Sequence, residues 1–230
     1  MAIKDLIIFG AGGFGREATE LVEDINTEKK QWNLLGYIDQ TPAKQGKVIN
    51  NYPVLGNLDW LEKNTGHPLW IVCAVARPTD KYRLIASLSC FQLYFANLIH
   101  PAARISRSVQ LGCGNIICWN SFLSTDVRIG SHVALNPGCR IGHDTAVQDY
   151  SSLYWDITLA GNVQVHEGCE IGSKTVVIPE KEIGRWSIIG AGATVTHDIP
   201  EYCTAVGVPA RPIKHLKNLV ETHSPKGLMI

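Results

Sequence analysis

The C-terminal half of the chain carries a hydrophobic period of six. Starting at Ile105, every sixth residue is Leu, Ile or Val: Ile105, Leu111, Ile117, Leu123, Ile129, and so on to Val195, sixteen positions without a break. With about a quarter of residues of this type, chance gives such a run with negligible probability. Two residues before each lies a second series, mostly small or β-branched, among them Ala103, Val109, Ser121, Val133, Cys139 and Thr145; Lys181 is the clear misfit. The residue after each aliphatic is often glycine: Gly112, Gly130, Gly142, Gly172, Gly184 and Gly190. A helix repeats near 3.6 and a simple strand at 2, so neither accounts for the pattern. A solenoid of short strands and tight turns does, with one large aliphatic and one slim residue of each repeat pointing to the axis. The glycines are expected to relieve the turn backbone. No coil closes a core alone, and stacking buries a continuous aliphatic column.

Ahead of the repeat the pattern changes. Residues 3–9 (IKDLIIF) read as a buried strand, then come Gly10, Gly12, Gly13 and Gly15, and residues 16–25 as a helix. A second strand ends at Asp39, a third covers 69–75, and a helix covers 80–89. Strand, glycine turn and helix N-terminus form an anion-binding geometry. A carboxylate at Asp39 would accept from a ribose or a base edge. A tight turn that binds nothing, and a dehydrogenase, are the competing readings. The roughly 95 residues before the repeat are too few for the six-strand dinucleotide fold and suit a mononucleotide better. Expected boundaries are 1–98 for this Rossmann-like domain, 99–213 for the solenoid, and 214–230 for a tail with a short helix.

Composition narrows the function classes. Lys+Arg and Asp+Glu both number 21, so the net charge is zero and polyanion binding has no basic surplus to draw on. No apolar run reaches the roughly 18–20 residues of a membrane span, and the N-terminus lacks a signal-peptide layout. The expectation is a cytoplasmic protein that binds neither nucleic acid nor membrane. Seven cysteines without a CxxC pair read as buried thiols.

Eight histidines supply candidates for a general base, since neutral imidazole suits proton abstraction near neutral pH. His143 stands between Gly142 and Asp144, two residues past Ile141, which places it at a turn on the outer surface. His132, His166 and His197 are weaker candidates. A zinc site would need three converging histidines including a close pair, and the repeats contain none, so no metal is expected.

The hexapeptide period, the glycine turn, Asp39, and Ile99-His100-Pro101 leading into the first coil together resemble the hexapeptide-repeat sugar acyltransferases. Within them the chain is similar to the sialic-acid O-acetyltransferase and bacillosamine N-acetyltransferase type. The resemblance implies a left-handed parallel β-helix with three repeats per coil, and a little over five coils. It implies a homotrimer with acetyl-CoA in the groove between adjacent chains. It further implies a nucleotide-sugar held by the N-terminal domain, and a role in cell-surface polysaccharide biosynthesis. By the same resemblance His143 is the general base and Asp144 orients its ring. The Gly161 N–H is the oxyanion donor, and Asn136 meets the acceptor with Gly10, Gly12, Gly13, Gly15 and Asp39. Ser173 and Ala191 line the CoA groove with Gly161, and Arg211 and Lys214 meet its phosphates. Trp119, Phe122, Tyr150 and Trp155 suit an interface between copies.

The chain departs from the family twice. Val75-Ala76-Arg77-Pro78 replaces an Ile-Gly-Asn-like segment, with Arg77 a phosphate contact or a solvated loop residue. Ser152 stands where a second histidine often helps hold the thioester, followed by a bulky Tyr154-Trp155 pair that would line the acceptor pocket or meet a neighbouring subunit. N-acetylation of a nucleotide-linked amino sugar is the favoured activity. O-acetylation of a sugar such as sialic acid, a serine or simple-amine acetyltransferase, and a non-catalytic β-helix binding protein are the alternatives.

Overall fold

The structure, a computed structural model, describes residues 3–64 and 66–216. The N-terminal part is a six-stranded sheet flanked by helices. Its elements are β1 (Lys4–Phe9), α1 (Gly13–Glu28), β2 (Trp32–Ile38), β3 (Val48–Ile49), β4 (Tyr52–Gly56), α2 (Leu58–Lys63), β5 (Trp70–Cys73), α3 (Pro78–Ala86) and β6 (Tyr94–Phe95). The strand order is β3-β4-β2-β1-β5-β6, parallel except for the β3–β4 hairpin. Leu6, Ile7 and Ile8 of β1 are fully buried, as expected of a central strand with cover on both faces. Chain order reverses between β1 and β5, which makes the ends of these strands the ligand crevice of such a sheet.

Two expectations change here. The first helix begins at Gly13 rather than residue 16, so Gly13 and Gly15 lie in its first turn. The hairpin, α2 and β6 carry no periodic signal because they are two to six residues long. A hairpin cue was nonetheless present in Asn50-Asn51, which hold φ of 45° and 64°. Two consecutive residues in that region make the turn that matches strand twist.

From Leu98 the chain winds into a left-handed parallel β-helix. Each two-residue strand pairs with the strand 18 residues later: Ile117 with Leu135, then Leu153, Ile171 and Ile189 on the first face. The second face runs from Arg104–Ile105 to Thr194–Val195, and the third from Gln110–Leu111 to Glu182–Ile183. The six-residue register begins one step earlier than the sequence suggested, at Ile99, whose strand already belongs to the first face. From Ile117 to Val195 every aliphatic of the series is at most 3% exposed. Ile105 and Leu111 are only partly buried, since they lie in the terminal coil with no coil beneath.

The slim series has a further task. Its polar members reach the turn carbonyl of the next coil: Asn115 Nδ2 donates to Gly130 O at 2.9 Å, Thr145 Oγ1 to Ala160 O at 2.9 Å, and Ser151 Oγ to His166 O at 3.1 Å. Buried polar side chains thus pair with buried carbonyls. Lys181 turns outward, with Nζ on Glu180 O.

The glycines are required for a different reason than turn strain. None of Gly112, Gly130, Gly142, Gly172, Gly184 or Gly190 has positive φ; a Cβ on Gly142 would sit 2.5 Å from the carbonyl carbon of Ala160. Contact with the next coil excludes the side chain. The left-handed turn residue comes two positions later, as at Asn120, Asp126, His132, Asp144, Asp156 and Asn162. Asn and Asp tolerate that region better than other residues with side chains.

Cys73, Cys118, Cys139, Cys169 and Cys203 are buried, whereas Cys90 and Cys113 are exposed, against the expectation of uniformly buried thiols. Arg211–His215 forms a strand antiparallel to Cys203–Val206. The helix expected from 214 therefore does not start there, and its remainder from 217 lies outside the described residues. No helix among the described residues is long and apolar enough to cross a membrane.

The two halves pack directly. Ile116 and Cys118 join the core beneath α1, and Tyr82 of α3 meets Tyr150 and Trp186 edge-on. Lys81 of α3 is buried between them, its Nζ donating to His132 O (2.8 Å), Ser152 Oγ (2.9 Å) and Ser151 O (3.3 Å).

Candidate active site

The 18-residue pitch stacks turn residues into columns along each edge of the prism. The edge between the second and third faces carries Thr125, His143, Gly161, Pro179 and His197 in successive coils. The imidazole of His143 lies against Gly161: a Cβ added there would sit 2.5 Å from both Cε1 and Nε2. His143 Nδ1 is 2.8 Å from Asp144 Oδ2. Asp144 can make this contact because its own φ is 57°, which ends the turn at once. With Nδ1–H donated to the carboxylate, the Nε2 lone pair is left over the Gly161 backbone. The Gly161 N–H has no acceptor among the described residues. His143 stands on an outer edge with its side chain 65% exposed.

Four other histidines have partners within the chain. His132 is buried, stacked on Tyr150 at 5.5 Å and edge-on to Phe95. Burial, then the nearby Lys81 charge, hold its pKa down to about 4. His166 pairs with Glu182 at 3.3 Å, and His100 Nε2 with Asp24 on α1 at 3.2 Å. His197 Nδ1 lies 3.1 Å from Arg211 Nη1. That places Arg211 on the His143 edge, three coils further along.

The neighbouring edge, between the first and second faces, stacks Trp119, Pro137, Trp155, Ser173 and Ala191. Ser173 Oγ accepts from the Trp155 N–H at 3.2 Å. Asn136, beside Pro137, is buried. The residues expected along CoA therefore divide between two edges, Ser173 and Ala191 on one, Gly161 and Arg211 on the other. Lys214 separates from them. It lines a cavity of about 580 Å³ with Arg77, Glu170, Trp186 and Tyr202. Expected at opposite ends of the reaction, Arg77 and Lys214 share one cavity whose lining contains none of the glycine-turn residues. Arg211 reaches His197 instead of this cavity, and Arg77 is fixed as the N-cap residue just before α3, 3.8 Å from Asp80.

At the N-terminal crevice the glycines differ in role. A Cβ at Gly12 or Gly13 would meet nothing within 4 Å, so their backbone is open to a ligand. Gly10 has φ 106° and touches the β5 end at Ala74; a Cβ at Gly15 would fall 2.0 Å from Gly10 O. Gly10 and Gly15 thus shape the turn rather than face a ligand. Asp39 is already engaged, which the sequence did not reveal. Its Oδ2 accepts from the Ala11 N–H and Lys44 Nζ, each at 2.8 Å, and Oδ1 from the Thr41 N–H at 2.8 Å. Burial alone would raise its pKa, but these donors outweigh it and bring it down to about 2. Asp39 holds the glycine turn and fixes Lys44 beside it.

Ser152 is 1% exposed beneath α3 and accepts from Lys81, so it does not reach an outer groove. The aromatic residues expected at an interface divide. Tyr150 is used within the chain, Trp119 and Trp155 line a cavity with α1, and Phe122 stays exposed on the second face. Tyr154 donates to Glu170 Oε1 at 3.0 Å.

Comparison with known proteins agrees with this architecture. Residues 5–88 match the PglD N-terminal domain family. The solved structure of PerB from Caulobacter crescentus, in complex with CoA and GDP-perosamine, is 28% identical with a TM-score of 0.83, over 93% of this chain and 99% of that one. The acetyltransferase domain of PglB from Neisseria gonorrhoeae is 25% identical with a TM-score of 0.82, over 91% and 100%. The chain is similar in sequence and fold to these sugar acetyltransferases. Among curated sequences, GDP-perosamine N-acetyltransferase of Escherichia coli O157:H7 is 29% identical over 144 residues, 62% of this chain and 64% of that protein. The chain spans less than two thirds of the length of the curated relatives it matches.

Two positions escaped the sequence reading, Lys44 and Lys81. Lys44 ends a short 3-10 turn (Pro42–Lys44) whose opening proline was a usable cue. Lys81 had no cue, since a lysine mid-helix reads as solvated.

Proposed function

We propose that this protein transfers the acetyl group of acetyl-CoA to the amino group of a sugar carried on a nucleoside diphosphate, and does so in the cytoplasm. The observation that carries the reading is the His143–Asp144 pair with its imidazole seated against Gly161, where a Cβ would collide with the ring. In this scheme the amine nitrogen attacks the thioester carbonyl and Nε2 of His143 takes the nitrogen's proton. The carbonyl oxygen gathers negative charge opposite the Gly161 N–H. As the tetrahedral adduct collapses, the C–S bond breaks and the imidazolium returns its proton to the departing sulfur. Asp144 keeps Nδ1 protonated throughout and stabilises the imidazolium that forms in between.

The open backbone at Gly12 and Gly13, at the start of α1 with Lys44 close by, suits the diphosphate. CoA would extend from Gly161 toward Arg211. The division of Ser173 and Ala191 from Gly161 and Arg211 favours a groove closed by a second copy, each chain lending a different edge. Phe122 and Val176, exposed on the face between those edges, suit burial in a homotrimer.

The test is His143→Ala in a CoA-release assay with acetyl-CoA and GDP-perosamine or dTDP-4-amino-4,6-dideoxyglucose. We expect kcat to fall about a hundredfold or more, as loss of a general base does, with folding unchanged at this exposed position. Turnover near wild type, or no transfer to any sugar nucleotide by the wild type, would remove the mechanism and favour a non-catalytic role.

A further inference from the structure

Few polar groups cross between the two halves of the molecule. Near the surface, His100 Nε2 meets Asp24 of α1 at 3.2 Å. The buried crossing among the described residues is Lys81, the fourth residue of α3, at 1% exposure. An ammonium carries three donors, and each finds an acceptor: His132 O at 2.8 Å, Ser152 Oγ at 2.9 Å and Ser151 O at 3.3 Å. His132 O receives no other donor among the described residues.

These acceptors belong to two successive coils. Ala134–Leu135 and Ser152–Leu153 are paired strands of the first face. His132 lies in the turn that leads into the first strand, and Ser151 and Ser152 lead into and begin the second. Onward from Ala134 the chain reaches His143 on the far edge, and onward from Ser152 it reaches Gly161 one coil later. Lys81 therefore grips at one point the coil that carries the candidate base and the coil that carries the candidate oxyanion donor.

The other end of this connection is the glycine turn. The Lys81 N–H donates to Arg77 O at 3.0 Å, and residues 74–77 lead back from α3 to β5. The Ala74 N–H donates to Phe9 O at 2.8 Å, and Ala74 O stands 3.0 Å from where a Gly10 Cβ would lie. A shift of α3 thus carries the turn with it.

We propose that Lys81 is a positioning residue for the transfer: it fixes α3, and through it the glycine turn, in register with the two coils that carry His143 and Gly161. The inference rests on the acetyl-transfer reading and adds to it how the nucleotide-binding half is held. Lys81 is buried and touches no substrate. In a closed assembly of identical copies the register repeats in each, so the effect is the same whichever copy supplies His143. The consequence is selective. An amine carried on a nucleotide is delivered by the N-terminal half and gains from the register; the same amino sugar without its nucleotide does not. Misplacement by about 1 Å costs roughly a hundredfold in rate, and here the loss falls on the linked substrate.

The experiment compares full-length wild type, Lys81→Met, Ser152→Ala and the double variant by CoA release. The acceptors are whichever of GDP-perosamine and dTDP-4-amino-4,6-dideoxyglucose the wild type acetylates faster, and the same amino sugar without its nucleotide. Calorimetric titration with CoA counts folded sites, and rates are expressed per site. Methionine matches the length of lysine but leaves His132 O without a donor. Lys81→Met is expected to lower kcat on the linked acceptor at least about tenfold. Its rate on the free amino sugar and its KM for acetyl-CoA should stay within about twofold of wild type. Ser152→Ala removes one acceptor of the three and should lower the linked rate about threefold. It should add nothing in the Lys81→Met background, because the two residues act through one contact. An equal fall on linked and free acceptors is what a merely structural lysine gives, and it overturns the positioning role. So does a linked rate near wild type in Lys81→Met, or in Ser152→Ala should Lys81→Met not fold, or full additivity of the two substitutions. His143→Ala should lower both rates together, so failure of the acetyl-transfer reading is told apart from failure of this one.

Discussion

Gly161→Ala isolates the contact on which the proposed acetyl transfer turns. The added Cβ would sit 2.5 Å from Cε1 and Nε2 of His143 and 3.1 Å from Cδ2, whereas ordinary contact begins at 3.4 Å. The ring must retreat by roughly 1 Å, and misplacement of that size costs about a hundredfold in rate. The ring is free to retreat because its side chain is 65% exposed. Swinging outward strains the 2.8 Å contact with Asp144. The backbone conformation at Gly161 is open to alanine, since its φ is not positive. The cost should therefore fall on kcat, by about a hundredfold or about 2.7 kcal/mol. Stability should change by less than about 1 kcal/mol, the ordinary range for surface substitutions. Initial rates of CoA release with GDP-perosamine give the first quantity, and urea unfolding gives the second. A kcat within twofold of wild type would refute the reasoning. So would a rate loss fully accounted for by unfolding, because then the glycine serves coil packing and not the imidazole.

Gly142→Ala should behave oppositely. Its Cβ would meet backbone, 2.5 Å from Ala160 C and 2.7 Å from Gly161 N, with no flexible atom to yield. We expect a loss of about 1–3 kcal/mol in urea unfolding, and a loss under 0.5 would contradict the close-approach account. Lys81 is buried, and burial pulls its pKa down to about 7, against the raising influence of Cys73 and Glu170. The unfolded chain, with lysine near 10.4, then binds more protons between pH 7 and 10, so stability due to Lys81 rises with pH across that window. Unfolding free energies of wild type minus Lys81→Met should increase from pH 7 to 9, and a flat or falling difference would count against it. Asp39, held near 2, acts with the same sign at acid pH. Its contribution, about 2.6 kcal/mol against an unfolded value near 3.9, is present above pH 4 and lost as pH falls toward 2. Asp39→Asn should flatten that acid limb in thermal unfolding between pH 2 and 5, and an unchanged limb would refute the assignment.

Much of the solenoid was legible because each coil repeats one requirement: an aliphatic and a slim residue inward, then a turn. Sixteen repetitions outweigh local exceptions such as Lys181. The glycine turn was legible because a strand, a tight turn and a helix start leave few residue choices. His143 was marked by its place in the register and by Asp144 beside it. Local sequence carried less about the N-terminal hairpin, whose strands are too short for a period to emerge.

Tertiary structure alone decided which residues are consumed internally. Asp39 looks like a ligand carboxylate until Lys44, Ala11 and Thr41 converge on it. Ser152 looks like a groove residue until α3 covers it. Arg77 and Lys214, distant in sequence, share a cavity, while Arg211, three residues from Lys214, turns to His197. Periodicity is local and additive, so it survives in a string of residues. Burial, pairing and the division of the expected groove residues between two edges depend on what arrives from elsewhere in the chain, and only the folded arrangement brings those partners together.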